Sequence, residues 1–244
     1  RRVLFRSAHA MQLYKLSEKA GADGVMIVTP YYNKPTQAGV LTHFRLIADS
    51  TDLPVILYDI PGRAGIPIAY ETILRAAKHP NIVAIKDAKG DFAQASRVMN
   101  ETGLLYFSGD DSNVLPHVAI GATGLIGVTA NIAPAAYREM IDATNRNDFH
   151  HALKVHNSLE PLVRAAMTHV PGTVAAKYIL HGLGLIGSPR VRLPLVGPEE
   201  AEAARIEQDI DKVGPITGLS FENFRPDRNA AAGGALPKVA GTTR

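Results

Sequence analysis

Five short, almost uninterrupted apolar runs set the strongest limit on what this chain can fold into. They are Gly24–Thr29 (GVMIVT), Pro54–Ile60 (PVILYDI), Ile82–Ala88 (IVAIKDA), Leu104–Gly109 (LLYFSG) and Gly124–Thr129 (GLIGVT). Strands that are apolar on both faces must be covered on both faces, and helices between successive strands make the sheet parallel. The intervening segments supply such helices. Val40, Leu41, Phe44, Ile47 and Ala48 share one helical face. Further on, Asp91 is placed to cap a helix that turns Phe92, Ala95, Val98 and Met99 inward and stops at Gly103.

After Asn131 the strand pattern ceases. Pro134–Asn145, Asp148–His169, Thr173–Leu183 and Pro198–Val213 read as helices, the last opened by Pro198-Glu199-Glu200. The expected organisation is a partial (β/α) barrel over 8–131, a helical region over 132–213, and a disordered tail over 214–244, where periodicity is lost. Residues 1–7, with Arg2-Val3-Leu4-Phe5-Arg6, read as a non-native scar and are set aside. Five βα units cannot close an eight-stranded barrel. Either three units precede residue 1 or the sheet is open and doubly wound, and no glycine-rich phosphate loop follows the first strand to favour the latter.

Composition excludes several classes of function. A net charge of +3 with scattered Lys and Arg gives no footprint for nucleic acid or a membrane surface. No apolar run is long enough to span a bilayer. The chain has no Cys, which removes disulfides, thiolate metal sites and a cysteine nucleophile, and points to the cytoplasm. The literal GxGxxG of Gly182–Gly187 follows a helix rather than a strand, so it reads as a glycine-rich helix end. His150, His151 and His156 lack metal-ligand spacing, and no G-x-S-x-G element is present.

Lys86 carries the sharpest chemical signal. Alternation puts Ile82, Ala84, Lys86 and Ala88 on one strand face and Val83, Ile85 and Asp87 on the other. An amine near the C-terminal end of a buried strand points to the mouth of a barrel, where active sites of that fold lie. Desolvation there favours the free amine, which attacks carbonyl carbons. The structural alternative is an ion pair with a neighbouring carboxylate such as Asp110. Tyr58 ends the equivalent strand one unit earlier, and a phenol there can pass protons to and from a carbinolamine. Taken alone it would more often be a packed aromatic. Arg63, in the loop after Tyr58, could clamp a carboxylate bidentately or lie solvated.

YDIPGRAGIP (Tyr58–Pro67) followed by AIKDAKG (Ala84–Gly90) resembles the signature of the dihydrodipicolinate synthase / N-acetylneuraminate lyase family. TPYYNKP (Thr29–Pro35), FSGDD (Phe107–Asp111) and GLIGVTAN (Gly124–Asn131) agree with it in order and spacing, so the resemblance runs from about residue 15 to 213. It implies a TIM (β/α)8 barrel, here without its first three βα units, plus a C-terminal helical extension. It implies that Lys86 forms the Schiff base with pyruvate and Tyr58 moves protons. Tyr32 would reach across a dimer interface into the neighbour's relay, and the Ile126 backbone would contact pyruvate. Gly109 and Asp110 would form the turn below the substrate. An arginine at position 63 matches the synthase pattern, binding the carboxylate of aspartate semialdehyde for lysine and diaminopimelate biosynthesis. The implied partners are pyruvate, a small aldehyde and further copies of the chain in a dimer or tetramer. No cofactor or metal is called for. Another pyruvate-dependent aldolase of the family, or an inert fragment, are the alternatives.

Overall fold

The computed structural model describes residues 7–228. It divides into two compact units, Arg1–Gly127 and Val128–Arg244. The first holds a five-stranded sheet in the order β1-β2-β3-β4-β5, every neighbour parallel. The strands are β1 (Val25–Val28), β2 (Val55–Asp59), β3 (Ile82–Asp87), β4 (Leu105–Ser108) and β5 (Gly124–Leu125). Helices α1 (Ser7–Lys19), α2 (Gln37–Ala48), α3 (Pro61–Ala64), α4 (Tyr70–Ala76), α5 (Phe92–Thr102) and α6 (Val114–Ala119) precede and separate them.

The two faces of this sheet differ sharply. Val25, Ile27, Val55, Leu57, Ile85 and Tyr106 are buried in one cluster with Phe44 and Ile47 of α2, Ile73 of α4 and Val98 of α5. Burying such side chains contributes about 1.5–3 kcal/mol each, so this layer dominates the stability of the unit. On the other face Met26 is 47% and Leu105 51% exposed. Both lie in the row Met26–Ile56–Ala84–Leu105, one step before the row Val28–Tyr58–Lys86–Phe107–Gly124.

Local chemistry explains the helix ends. Asp91 accepts a hydrogen bond from the Gln94 amide at 2.9 Å and Gly103 adopts the left-handed conformation that ends α5. Thr36 caps α2 in the same manner, accepting from the Gly39 amide. Two expectations for the strands change. Ile82 pairs with Val55 but Ala84 with Ile56, so β3 carries an extra residue and Ile82 joins the helix-covered core instead of sharing the face of Lys86. The fifth strand is far shorter than Gly124–Thr129. Its ladder ends at Leu125, the Ile126 amide still donates to the Ser108 carbonyl at 2.9 Å, and Gly127 then lies so close to the Asp111 carboxylate that a Cβ would overlap it.

The second unit contains α7 (Pro134–Asn145), α8 (Phe149–Met167), α9 (Gly172–Gly182) and α10 (Glu200–Ile210). Asp148 caps α8, accepting from the His151 amide, and the Glu202 side chain accepts from the Glu199 amide at the start of α10. The expected disordered tail is corrected in part. Phe224 is buried, the Arg225 amide donates to the Gly182 carbonyl at 2.8 Å, and Arg228 forks onto Glu207. Loss of periodicity here marks an irregular segment held by specific contacts. The remainder of that tail, 229–244, and residues 1–6 of the expected scar lie outside the described residues, while Ser7 opens α1 and hydrogen-bonds His43.

Gly182 shows why the glycine-rich helix end is needed. A Cβ there would overlap the Phe224 ring. Alanine normally stabilises a helix by up to about 1 kcal/mol over glycine. Overpacking costs about 1–3 kcal/mol. The clash wins, so Gly182→Ala lowers the thermal midpoint and exposes Phe224. A raised midpoint in a thermal melt would overturn this.

Candidate active site

Parallel pairing of β2 with β3 places Tyr58 directly beside Lys86. The Lys86 amine sits 3.9 Å from the centre of the Tyr58 ring, over its face. Both residues are half-buried. Among the described residues this ring, and not an ion-paired carboxylate, is what the amine meets; the alternative pair with Asp110 does not form. A cationic ammonium gains from the ring quadrupole. Burial nonetheless dominates and holds the Lys86 amine below the ordinary lysine range, against the opposing pull of the Asp111 carboxylate. Burial also pushes the Tyr58 phenol up; Arg63 counters this, and Asp110 and Asp111 add to it. The two neighbours are therefore driven towards a free amine and a neutral phenol. Those are the protonation states of a nucleophile and a proton donor.

The other expected residues belong to the same unit. Arg63 is exposed in the last turn of α3, just before the left-handed Gly65, and its charge reaches Tyr58. Ile126 is half-buried at the end of β5. Tyr32 follows β1 in a loop, 80% exposed and with φ of 64°. It does not share the half-buried setting of Tyr58 and Lys86. A cavity of about 510 Å3 opens elsewhere, lined by His9, Leu13 and Tyr14 of α1 together with Met26 and His43. None of the five expected site residues lines it, and the chemistry of Lys86 outweighs its size.

Gly109 has a steric duty at the site. Its amide donates to the Asp87 carbonyl at 2.6 Å, and a Cβ would lie 3.0 Å from both Lys86 Cγ and the Asp87 carbonyl carbon. The backbone cannot give way without moving β3. Gly109→Ala should therefore cost about 1–3 kcal/mol in urea unfolding. It should also slow Lys86 labelling by amine reagents. Unchanged stability together with unchanged labelling would sink this account.

Sequence reasoning missed the row immediately behind the pair. Asp59, Asp87 and Ser108 are in register one residue after Tyr58, Lys86 and Phe107, on the helix-covered face, each at most 1% exposed. Their partners come from a turn, a strand and a helix. Asp59 lies 3.3 Å from the Lys89 amine, Asp87 accepts from the Tyr106 hydroxyl at 2.5 Å, and Ser108 meets His117 at 3.0 Å. The available signal was an aspartate directly after each key residue, on a face that otherwise excludes charge.

The dihydrodipicolinate synthetase family matches residues 6–213. A 4-hydroxy-tetrahydrodipicolinate synthase of Kineococcus radiotolerans is 45% identical over 208 residues, 85% of this chain and 68% of that protein. One of Acidothermus cellulolyticus is 48% identical over 206 residues, 84% of this chain and 66% of that protein. The chain thus spans about two thirds of the length of these relatives. Among solved structures, the dihydrodipicolinate synthase of Acinetobacter baumannii complexed with pyruvate superposes with a TM-score of 0.80 at 36% identity, covering 86% of this chain and 72% of that one. The Thermotoga maritima dihydrodipicolinate synthase gives 0.80 at 33% identity over the same shares.

Proposed function

Since the chain belongs to the dihydrodipicolinate synthetase family, we propose that it carries the Schiff-base half-site of a lyase that condenses pyruvate with aspartate semialdehyde, the 4-hydroxy-tetrahydrodipicolinate synthase reaction. One observation supports this reading above the rest: a half-buried amine, held below the ordinary lysine range, stands 3.9 Å over the ring of the neighbouring tyrosine.

Lys86 attacks the ketone carbon of pyruvate, giving a carbinolamine that loses water to become an iminium. Tyr58 donates and accepts the protons of these steps. The iminium withdraws electrons from the adjacent methyl group, which loses a proton to form an enamine. That carbon attacks the aldehyde carbon of the second substrate. The substrate amine then displaces Lys86 from the iminium carbon, closing the ring and freeing the lysine. The iminium itself is the electron sink, so the chemistry calls for no metal or organic cofactor. Arg63 holds the aldehyde's carboxylate, the Ile126 backbone faces pyruvate, and Tyr32 serves a neighbouring copy of the chain in a homo-oligomer.

The five strands correspond, in this reading, to strands four to eight of a closed TIM barrel, followed by a helical extension. The exposed Met26 and Leu105 support it, because they lie on the face that a barrel encloses. Among the described residues no helix is long and apolar enough to cross a membrane. A cytoplasmic location goes with this biosynthetic reading.

The test is a pair of assays, condensation with aspartate semialdehyde and cleavage of sugar-derived 2-oxo acids, on the wild-type chain and on Arg63→Ala. A charge-assisted pair contributes about 1.5–3 kcal/mol. Its loss should raise KM for aspartate semialdehyde about 10- to 100-fold and leave KM for pyruvate unchanged. Faster cleavage than condensation would assign the chain to another aldolase of the family. No turnover of either substrate would leave it an inert piece.

A further inference from the structure

The covered face of the sheet holds an ion pair that the reaction above does not use. Asp59 is 1% exposed and directly follows Tyr58. Its Oδ1 accepts a hydrogen bond from the Ile68 amide at 3.1 Å, closing the segment 60–67 that contains α3 and Arg63. Its Oδ2 lies 3.3 Å from Lys89 Nζ as an ion pair rather than an aligned hydrogen bond. Lys89 belongs to the turn after Lys86. Its amide donates to Asp87 Oδ1 at 2.6 Å, and Asp87 Oδ2 is held in turn by the Tyr106 hydroxyl. The lysine backbone is thus locked to the end of β3 and, through Asp87, to Tyr106 of β4, and its side chain reaches across to the end of β2.

We propose that Lys89 is a positioning residue that, by pairing with Asp59, holds the segment carrying Arg63 in place against the strand end carrying Lys86. The proposal rests on the pyruvate–aldehyde reading above and extends it to the selection of the second substrate.

Stability alone does not account for the pair. Burial pushes the Asp59 carboxyl up to about 6 although Lys89 and the Ile68 amide both oppose this, and the Asp87 charge adds to the rise. Desolvation therefore exceeds attraction, as it often does for buried ion pairs, and two apolar side chains would serve stability equally well. What apolar side chains could not supply is a directed link between two loops. One loop carries the aldehyde's carboxylate clamp, and the other follows the nucleophile.

Three variants test this: Lys89→Met, Lys89→Arg, and the double change Asp59→Asn with Lys89→Met, which leaves neither partner of the pair charged and so guards against a failure to fold. Hydrogen exchange at the Ile68 amide is expected to quicken about 10-fold or more in Lys89→Met and in the double variant. KM for aspartate semialdehyde should rise about 10-fold in both, while borohydride trapping of pyruvate on Lys86 stays within about 2-fold. Lys89→Arg should restore exchange and KM together. Unchanged exchange at Ile68 overturns the proposal. So does an equal fall in pyruvate trapping and aldehyde use, which marks a general structural role. If wild type traps no pyruvate yet exchange quickens as stated, the link between the loops stands and the reading of the reaction fails.

Discussion

Replacing Lys86 by methionine should abolish the adduct that pyruvate and borohydride leave on the wild-type chain. Methionine keeps much of the side-chain volume, so the half-buried setting over Tyr58 is filled and the fold is retained. What disappears is the nitrogen proposed to form the covalent bond. Removing the covalent nucleophile from a site whose groups act as a unit costs on the order of 10^4-fold or more in turnover. Intact mass before and after reduction, followed by peptide mapping to Lys86, gives the result without any coupled assay.

The pH dependence of trapping adds a second measure. Only the unprotonated amine attacks, and burial holds Lys86 below the ordinary lysine range. Its reactive fraction therefore grows at lower pH than that of ordinary surface lysines. Trapping should rise with pH along a curve displaced to the acidic side of labelling at those lysines. If the two curves coincide, the site does not activate its amine.

Tyr58→Phe is expected to slow turnover by about 10^2- to 10^4-fold, the range for losing a positioned proton donor. The ring that lies over the Lys86 amine at 3.9 Å remains. The hydroxyl alone is lost. Pyruvate should therefore still form some imine on Lys86, more slowly, while carbon–carbon bond formation falls further. The phenol is also a poor phenolate, since burial pushes its proton loss to higher pH. Its part in the proposed mechanism is thus to donate a proton first and then take one back. A variant with wild-type turnover would remove Tyr58 from the mechanism and leave it a packing residue.

Much of the first unit was legible because its physics is local and periodic. Short, almost uninterrupted apolar runs specify covered strands, and α2 and α5 follow from apolar spacing and caps that the structure reproduces. The adjacency of Tyr58 and Lys86 follows from successive strands pairing in parallel. Helix α1 escaped notice because Leu13 and Leu16 are exposed and only Tyr14 is buried, which leaves no clear stripe. The β-pattern of GLIGVT continued past the real strand end because Gly127 is packed against Asp111, a neighbour absent from the segment itself. The Asp59–Lys89 pair was invisible for a similar reason, since it joins the end of β2 to a turn 30 residues on in sequence. Periodicity also gave no hint that Phe224 would settle on Gly182.

Tyr58–Asp59 and Lys86–Asp87 are neighbouring couples whose members point to opposite sides of one sheet. Losing one residue from β2 or β3 would exchange the members of a couple, because side chains alternate with a period of two. A carboxylate would then face the keto acid, repelling its charge, while a phenol or an amine would be forced among aliphatic side chains. Slippage is thus penalised on both surfaces at once, and the reacting groups and the packing that supports them must be inherited as one piece.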